Sequence, residues 1–208
     1  MSADLNAEVA IQEAKVHESR YKWLDAAKSY ERVLEFETVT DTFVAETWQK
    51  IGFCYSLASR QADDAEKFKE IRQLSVDAYK HAAELFNKSS DLKSQGKSAL
   101  NIAISEYLRS WLASNASDRM KILDECRTFG KKALESFNAA GDNLSYAQTC
   151  NSLMSCIFDR LYITYDVEEK ASIAKEGLDC GVLGQVPSPV VGAEVQATQR
   201  GRTADQMG

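Results

Sequence analysis

The stretch VAETWQKIGFCY, residues 44–55, decides the fold. Four of its large apolar side chains and its one glycine fall at positions i, i+4, i+7, i+8 and i+11, the spacing at which one face of an α-helix repeats. These positions hold Val44, Trp48, Ile51, Gly52 and Tyr55. The pattern predicts an amphipathic helix with one buried side.

The same periodicity recurs outward from this stretch along most of the chain. Apolar stripes at helical spacing span residues 23–34, 68–86, 100–111, 122–137, 147–161 and, more weakly, 167–178. Phe158 belongs to the stripe over 147–161, and Leu178 belongs to the last one. With a poorly patterned helix over about residues 3–18, and short polar breaks between the stripes, the sequence predicts eight helices.

Turn-forming residues are concentrated near the C-terminus. The chain has two prolines, Pro187 and Pro189, and ten glycines, of which six lie after residue 176. An all-β or βαβ chain would need more turn residues than the first 175 or so positions contain. Composition therefore favours long helices and excludes a glycine-rich phosphate-binding fold.

Charge and terminal sequence indicate the partners and the compartment. The net charge is −6 and the pI is near 5.1, and no basic stripe is visible, so a nucleic-acid partner is not expected. The N-terminus MSADLNAE is acidic where a signal peptide is basic. The longest uncharged stretch, residues 143–158, is too polar to span a bilayer. We expect a cytoplasmic protein without membrane insertion.

The sequence offers little for catalysis or metal binding. No CxxC pair occurs, and His17 and His81 lie far in sequence from any cysteine pair, so we expect no metal and no cofactor. No nucleophile-elbow, zinc-protease or phosphate-loop motif occurs, so we expect no enzyme. The five cysteines are predicted to be small apolar core residues. They are Cys54, Cys126, Cys150, Cys156 and Cys180.

The decisive stretch contains W-x2-I-G-x2-Y at residues 48–55, which resembles the W-x2-L-G-x2-Y signature of the first helix of a tetratricopeptide repeat (TPR). A-x3-Y-x2-V-L at residues 26–34 resembles the second helix. Hairpins starting near residues 3, 43, 97 and 143 are longer than the family's repeat and are similar to the extended hairpins of soluble NSF attachment proteins. The resemblance implies an all-α, right-handed superhelical array of antiparallel hairpins, a TPR-like α-solenoid of about eight helices.

The resemblance also implies a concave groove that binds an extended or helical peptide. The groove candidates are first-helix positions that packing is not expected to use: Gln49, Lys50, Phe53, Asn101, Ser105, Arg109, Asn151, Ser155 and Arg160. Co-chaperone TPR domains clamp a carboxylate with Lys, Asn and Arg, and that pattern is missing here. The matching positions hold Ile11, Lys15, Gln49, Phe53, Asn101 and Ser105.

We therefore expect a non-catalytic scaffold or adaptor for a protein or peptide partner. Two alternatives stay open: an N-terminal regulatory or sensory domain of a larger signalling protein, truncated at its C-terminus, and an irregular helical bundle with an enzymatic role. Residues 181–208 contain both prolines and no aromatic residue. Residues 1–180 are accordingly predicted to form the helical domain, and residues 181–208 a flexible tail or a truncated linker.

Overall fold

The computed structural model describes residues 3–36 and 40–184, and their regular structure is entirely helical. The described residues form eight helices, which confirms the all-helical class and the number of helices. They are α1 (Ala3–Ser19), α2 (Trp23–Val33), α3 (Asp41–Ser59), α4 (Ala65–Phe86), α5 (Leu92–Ser110), α6 (Ala116–Ala139), α7 (Asn143–Ile163) and α8 (Val167–Gly184).

Polar side chains fix where most of the helices begin. The carboxylate of Asp64 accepts a hydrogen bond of 2.8 Å from the backbone N–H of Lys67, which satisfies a free donor in the first turn of α4. The same kind of cap stands at Thr40, Asp91, Asn115, Asp142 and Asp166. These caps lie in the breaks between apolar stripes, which explains why the breaks predicted the helix boundaries.

Helices α1 and α6 end in the same tight turn. After α1 the backbone N–H of Lys22 donates a hydrogen bond to the carbonyl of His17, five residues earlier. After α6 the N–H of Asp142 donates to the carbonyl of Phe137 in the same way, and both bonds are 2.9 Å long. This geometry needs one residue with positive φ, and Gly141 supplies it after α6 with φ 65°. After α1 the position is occupied by Tyr21 with φ 58°, a conformation that L-residues with a large side chain rarely adopt.

Each helix packs chiefly against the helices immediately before and after it in the chain. Short connections join helices that pack along their lengths, so consecutive helices run antiparallel. Two main apolar clusters result: one combines residues of α1 to α4 around Tyr30 and Ile51, and the other combines residues of α5 to α8 around Leu153 and Ile157. Contact between helices further apart in order is slight within the described part of the chain.

Gly52 lies where α3 meets α4 at close range. A Cβ atom built on Gly52 would stand 2.8 Å from Cδ2 of Tyr79, closer than two carbon atoms can pack. The hydroxyl of Ser75 in α4 also donates a hydrogen bond of 2.6 Å to the carbonyl oxygen of Gly52. The absence of a side chain at Gly52 therefore allows the close crossing of α3 and α4.

All five cysteines are buried and unpaired, as predicted for core residues. Burial raises the pKa of the Cys54 and Cys150 thiols to about 12. Such thiols remain protonated near neutral pH, so they behave as small apolar side chains.

The structure departs from the sequence-based assignment at two stripes and one boundary. The side chains of Phe158 and Leu178 are 61% and 69% exposed, although both were assigned to apolar stripes. Helix α8 continues to Gly184, so the helical region extends past the predicted boundary at residue 180. The remainder of the predicted tail, residues 185–208, lies outside the described residues.

Candidate interaction surface

The three candidate groove residues of α7 separate into two exposed residues and one buried residue. Asn151 and Ser155 are exposed to solvent. Arg160 is 2% exposed, so the assumption that packing leaves it free is wrong. Its guanidinium binds the carboxylate of Asp124 in α6, with Nε 3.0 Å from Oδ1, and the carboxylate of Glu169 in α8. Arg160 therefore joins three helices.

Two of the three groove candidates in α5 are also buried and cannot contact a partner. Asn101 and Ser105 are both 0% exposed. The Asn101 amide donates a hydrogen bond of 2.7 Å to the carbonyl of Lys97, and the Ser105 hydroxyl donates one of 2.8 Å to the carbonyl of Ile102. Short polar side chains can be buried in this way because their own helix supplies the acceptors. The expectation that these two residues face a groove is wrong.

Arg109, the third candidate in α5, is partly exposed but already paired. Its Nη2 lies 2.6 Å from the Glu125 carboxylate of α6, and it also binds Glu106 one turn earlier. Most of its hydrogen-bonding capacity is therefore directed within the protein.

The candidates of α3 remain at the surface. Lys50 and Phe53 are exposed, and Gln49 is half-buried. The Lys50 ammonium lies 5.5 Å from the centre of the Tyr30 ring, within the range of a cation–π contact. Lys50 and Lys15 both line a small cavity of about 190 Å³ between α1, α2 and α3.

Phe53 belongs to a chain of edge-to-face aromatic contacts. Its ring centre lies 6.0 Å from that of Trp23 at an interplanar angle of 84°, and Trp23 lies 6.1 Å from Tyr21 at 78°. Tyr21 is 71% exposed and Phe53 is 49% exposed. Such pairs stabilise each other beyond simple burial, which helps to hold Tyr21 in its unfavourable backbone conformation.

The exposed side of α7 carries a longer uncharged feature, of which only Asn151 and Ser155 were predicted from the sequence. Exposed residues recur at alternating spacings of four and three, which is the period of a coiled-coil seam. They are Leu144, Gln148, Asn151, Ser155, Phe158 and Tyr162, here termed the α7 face. Asn151 and Ser155 from the sequence analysis thus lie on one face with Phe158, 61% exposed, and Tyr162, 87% exposed.

The α7 face carries no charged side chain. The two charged residues of α7 are Asp159, which pairs with Arg119 at 2.7 Å, and the buried Arg160. By contrast, the exposed residues of α4 are rich in charge: Glu66, Lys69, Glu70, Asp77, Lys80 and Glu84. The sequence signal for the α7 face is the uncharged stretch 143–158, because a helix with an ordinary exposed face would have charged residues within a stretch of this length.

The described residues contain no group of three or more His, Cys, Asp or Glu side chains that could hold a metal ion. None of the described helices has the length and apolar character that a membrane crossing requires. Comparison with known proteins gives no match to a model of any protein family and no significant match to a curated protein.

Proposed function

We propose that this chain is a non-catalytic protein-interaction module and that the α7 face binds an amphipathic helix of a protein partner. The TPR-like hairpins would be arranged as a right-handed superhelical array, with the first helices α1, α3, α5 and α7 lining its concave side. The W-x2-I-G-x2-Y motif and the close crossing at Gly52 support this arrangement. The acidic pI and the unpaired buried cysteines favour action in the cytoplasm.

The single observation that carries the proposal is the uncharged, partly aromatic face of a helix that otherwise packs well. Leu144, Phe158 and Tyr162 are all more than half exposed, on a chain of which 27% is charged. Large exposed apolar side chains that share one face mark interaction sites more often than scattered ones do. Phe and Tyr are also enriched at the centres of protein interfaces.

The spacing of the α7 face indicates the shape of its partner. Residues 144 to 162 cover roughly 27 Å along the helix axis at 1.5 Å per residue. Side chains repeating every three and four residues form a ridge that fits between the side chains of another helix. Since the face has no charge, a partner that presented acidic or basic residues to it would lose their hydration without gaining an ion pair.

A display library of amphipathic 18-residue helices, selected against the purified protein, tests this proposal with a defined probe. Selected helices should have an apolar seam and should bind with an affinity measurable by fluorescence anisotropy. The double variant Phe158→Asp, Tyr162→Asp should weaken that binding at least ~30-fold, because it places charge in the centre of the contact. Both side chains are largely exposed, so the variant should keep its helical circular dichroism.

Leu74→Asp is the matched control, because Leu74 is 42% exposed on α4 and lies outside the α7 face. It should bind the selected helices as the unchanged protein does. Equal binding by the double variant, or a selection that yields no binder, would show that the α7 face is not the site. Sedimentation that reveals a dimer of this chain, dissociated by the double variant, would instead assign the face to a second copy.

A further inference from the structure

Arg72 in α4 is a buried cation without a counter-charge. The residue is 4% exposed, and its Nε atom has no hydrogen-bond acceptor among the described residues. Its guanidinium lies over the ring of Phe68, one turn earlier, with Cζ 4.8 Å from the ring centre. A ring stacked on the guanidinium leaves the N–H groups at its edge free to donate in the plane.

The charged neighbour of Arg72 is another cation. Arg60, at the end of α3, is exposed and lies close enough that its positive charge adds to burial in lowering the pKa of Arg72. Tyr107 of α5 is the other titratable group that influences Arg72, and it carries no charge near neutral pH. No described carboxylate offsets these two cations as Asp124 and Glu169 offset the buried Arg160.

A buried guanidinium is normally paired, because removing its hydration is costly unless hydrogen bonds and an opposite charge replace the water. Arginine is well suited to hold an oxyanion, and here one arginine is buried with an unpartnered Nε–H while a second arginine is exposed nearby. Chloride is a poor fit to this arrangement, since it has no paired oxygen atoms to match the fork of a guanidinium.

We propose that Arg72 and Arg60 together bind an oxyanion where the end of α3 meets α4 and α5. The bound group is a phosphate or a carboxylate, because both present two oxygen atoms to one guanidinium. Arg72 provides the buried, oriented donor on its Phe68 support. Arg60 provides the exposed cation that attracts the anion and covers it.

Phosphorus-31 NMR of inorganic phosphate tests the site directly, with the full chain in chloride buffer of constant ionic strength. The phosphate resonance should broaden on addition of the protein, and the broadening should saturate at millimolar phosphate. Arg72→Met should abolish the broadening, and Arg60→Met should weaken the apparent affinity roughly ten-fold, the typical loss of one charge-assisted hydrogen bond. Since Arg60 is exposed, its variant reports on the site even where Arg72→Met fails to fold.

Arg20→Met is the control, since Arg20 is an exposed arginine in the turn after α1. It should bind phosphate as the unchanged protein does. Acetate added as a competitor distinguishes a carboxylate ligand from a phosphate ligand. Displacement of phosphate by acetate assigns the site to a carboxylate, and retention of phosphate assigns it to a phosphoryl group. Absence of broadening, or equal broadening with Arg72→Met and the unchanged protein, would overturn the proposal.

This inference does not depend on the proposed function. Neither Arg60 nor Arg72 belongs to the α7 face, and the helix-binding experiment does not involve them. One site can therefore fail while the other stands.

Discussion

At the scale of single residues, Gly52 provides a sharp test of the packing. Gly52→Leu should destabilise the protein by roughly 1–3 kcal/mol, because the new side chain must displace the Tyr79 ring 2.8 Å from its Cβ. On an uncrowded helix the same change would stabilise, since leucine has about 1 kcal/mol better helix propensity than glycine. The sign of the change in urea unfolding free energy separates the two cases.

Gly141→Ala is the companion measurement, because no atom lies within 4 Å of a Cβ built there and the cost comes from φ 65° alone. The Gly141→Ala variant should have a free energy of unfolding about 1 kcal/mol lower than the unchanged protein. Combining Gly52→Leu with Tyr79→Ala should recover part of the loss, since the leucine can then occupy the space of the ring. A stabilised Gly52→Leu variant would count against the close crossing.

The buried thiols predict how stability depends on alkaline pH. Cys54 and Cys150 have a pKa of about 12 in the folded protein, against an ordinary value of 9.0. A raised folded pKa means that the stabilisation is complete below pH 9 and is lost between about pH 9 and pH 12, where the unfolded thiols ionise first. Each such thiol should lower the unfolding free energy by up to about 1.4 kcal/mol per pH unit.

Urea unfolding at a series of pH values measures this slope. Cys54→Ala should make the decline above pH 9 shallower, because one of the titrating groups is gone. A free energy of unfolding that stays constant from pH 8.5 to pH 10.5 would contradict the assignment.

Residue types alone identified the buried cysteines, but they misplaced three polar residues. Asn101 and Ser105 are predicted at the surface, whereas in the structure both are buried and each donates a hydrogen bond to a carbonyl of its own helix. Arg160 is buried because Asp124 and Glu169, far from each other in sequence, both reach it. Pairing across helices of this kind has no local signal in a single sequence.

At the scale of helices, Arg160 determines how firmly α8 is held. Arg160→Met should cost about 1–3 kcal/mol, because it removes charge-assisted hydrogen bonds to α6 and α8 while leaving partly exposed carboxylates that water can solvate. The variant should accelerate amide hydrogen exchange in α8 more than it accelerates exchange in α5. Mass spectrometry of the exchanged peptides measures both helices in one experiment.

Arg32→Met provides the contrast. Arg32 pairs with Glu13 at 2.5 Å, but the two side chains are 54% and 44% exposed, so the pair should contribute less than about 1 kcal/mol. Equal losses in the two variants would mean that the buried network around Arg160 does not hold α8.

Helix periodicity could predict where the helices lie, yet it could not predict which side of α7 is covered. The stripe through Ile157 is buried as expected, but Phe158 next to it points outward. An uncharged helix offers more than one apolar side, and the packing of α6 and α8 decides which side is buried. The α7 face was therefore absent from the candidate site, apart from Asn151 and Ser155.

At the scale of the whole molecule, we expect the chain to keep its stability when it is ended at Gly184. Residues 185–208 contain both prolines and no aromatic residue, so their sequence offers little to a core. The melting temperature should stay within about 1 °C of that of the full chain, as measured by circular dichroism.

A chain ended at Ile163 is the comparison, because it also removes α8 with the buried Ile173 and Cys180. It should melt several degrees lower. A comparable loss on ending the chain at Gly184 would show that the C-terminal residues pack on the helices.

The packing of each helix against its neighbours in the chain has a mechanical consequence. Under tension applied at both ends, an outer helix can detach without breaking the contacts that hold the middle helices. The helices would therefore detach in order from the two ends toward the middle. Extension would then proceed in discrete steps, and opening the hairpin of α3 and α4 alone would release roughly 150 Å of chain. Such a molecule would unfold one element at a time under tension, and its central hairpins would unfold last.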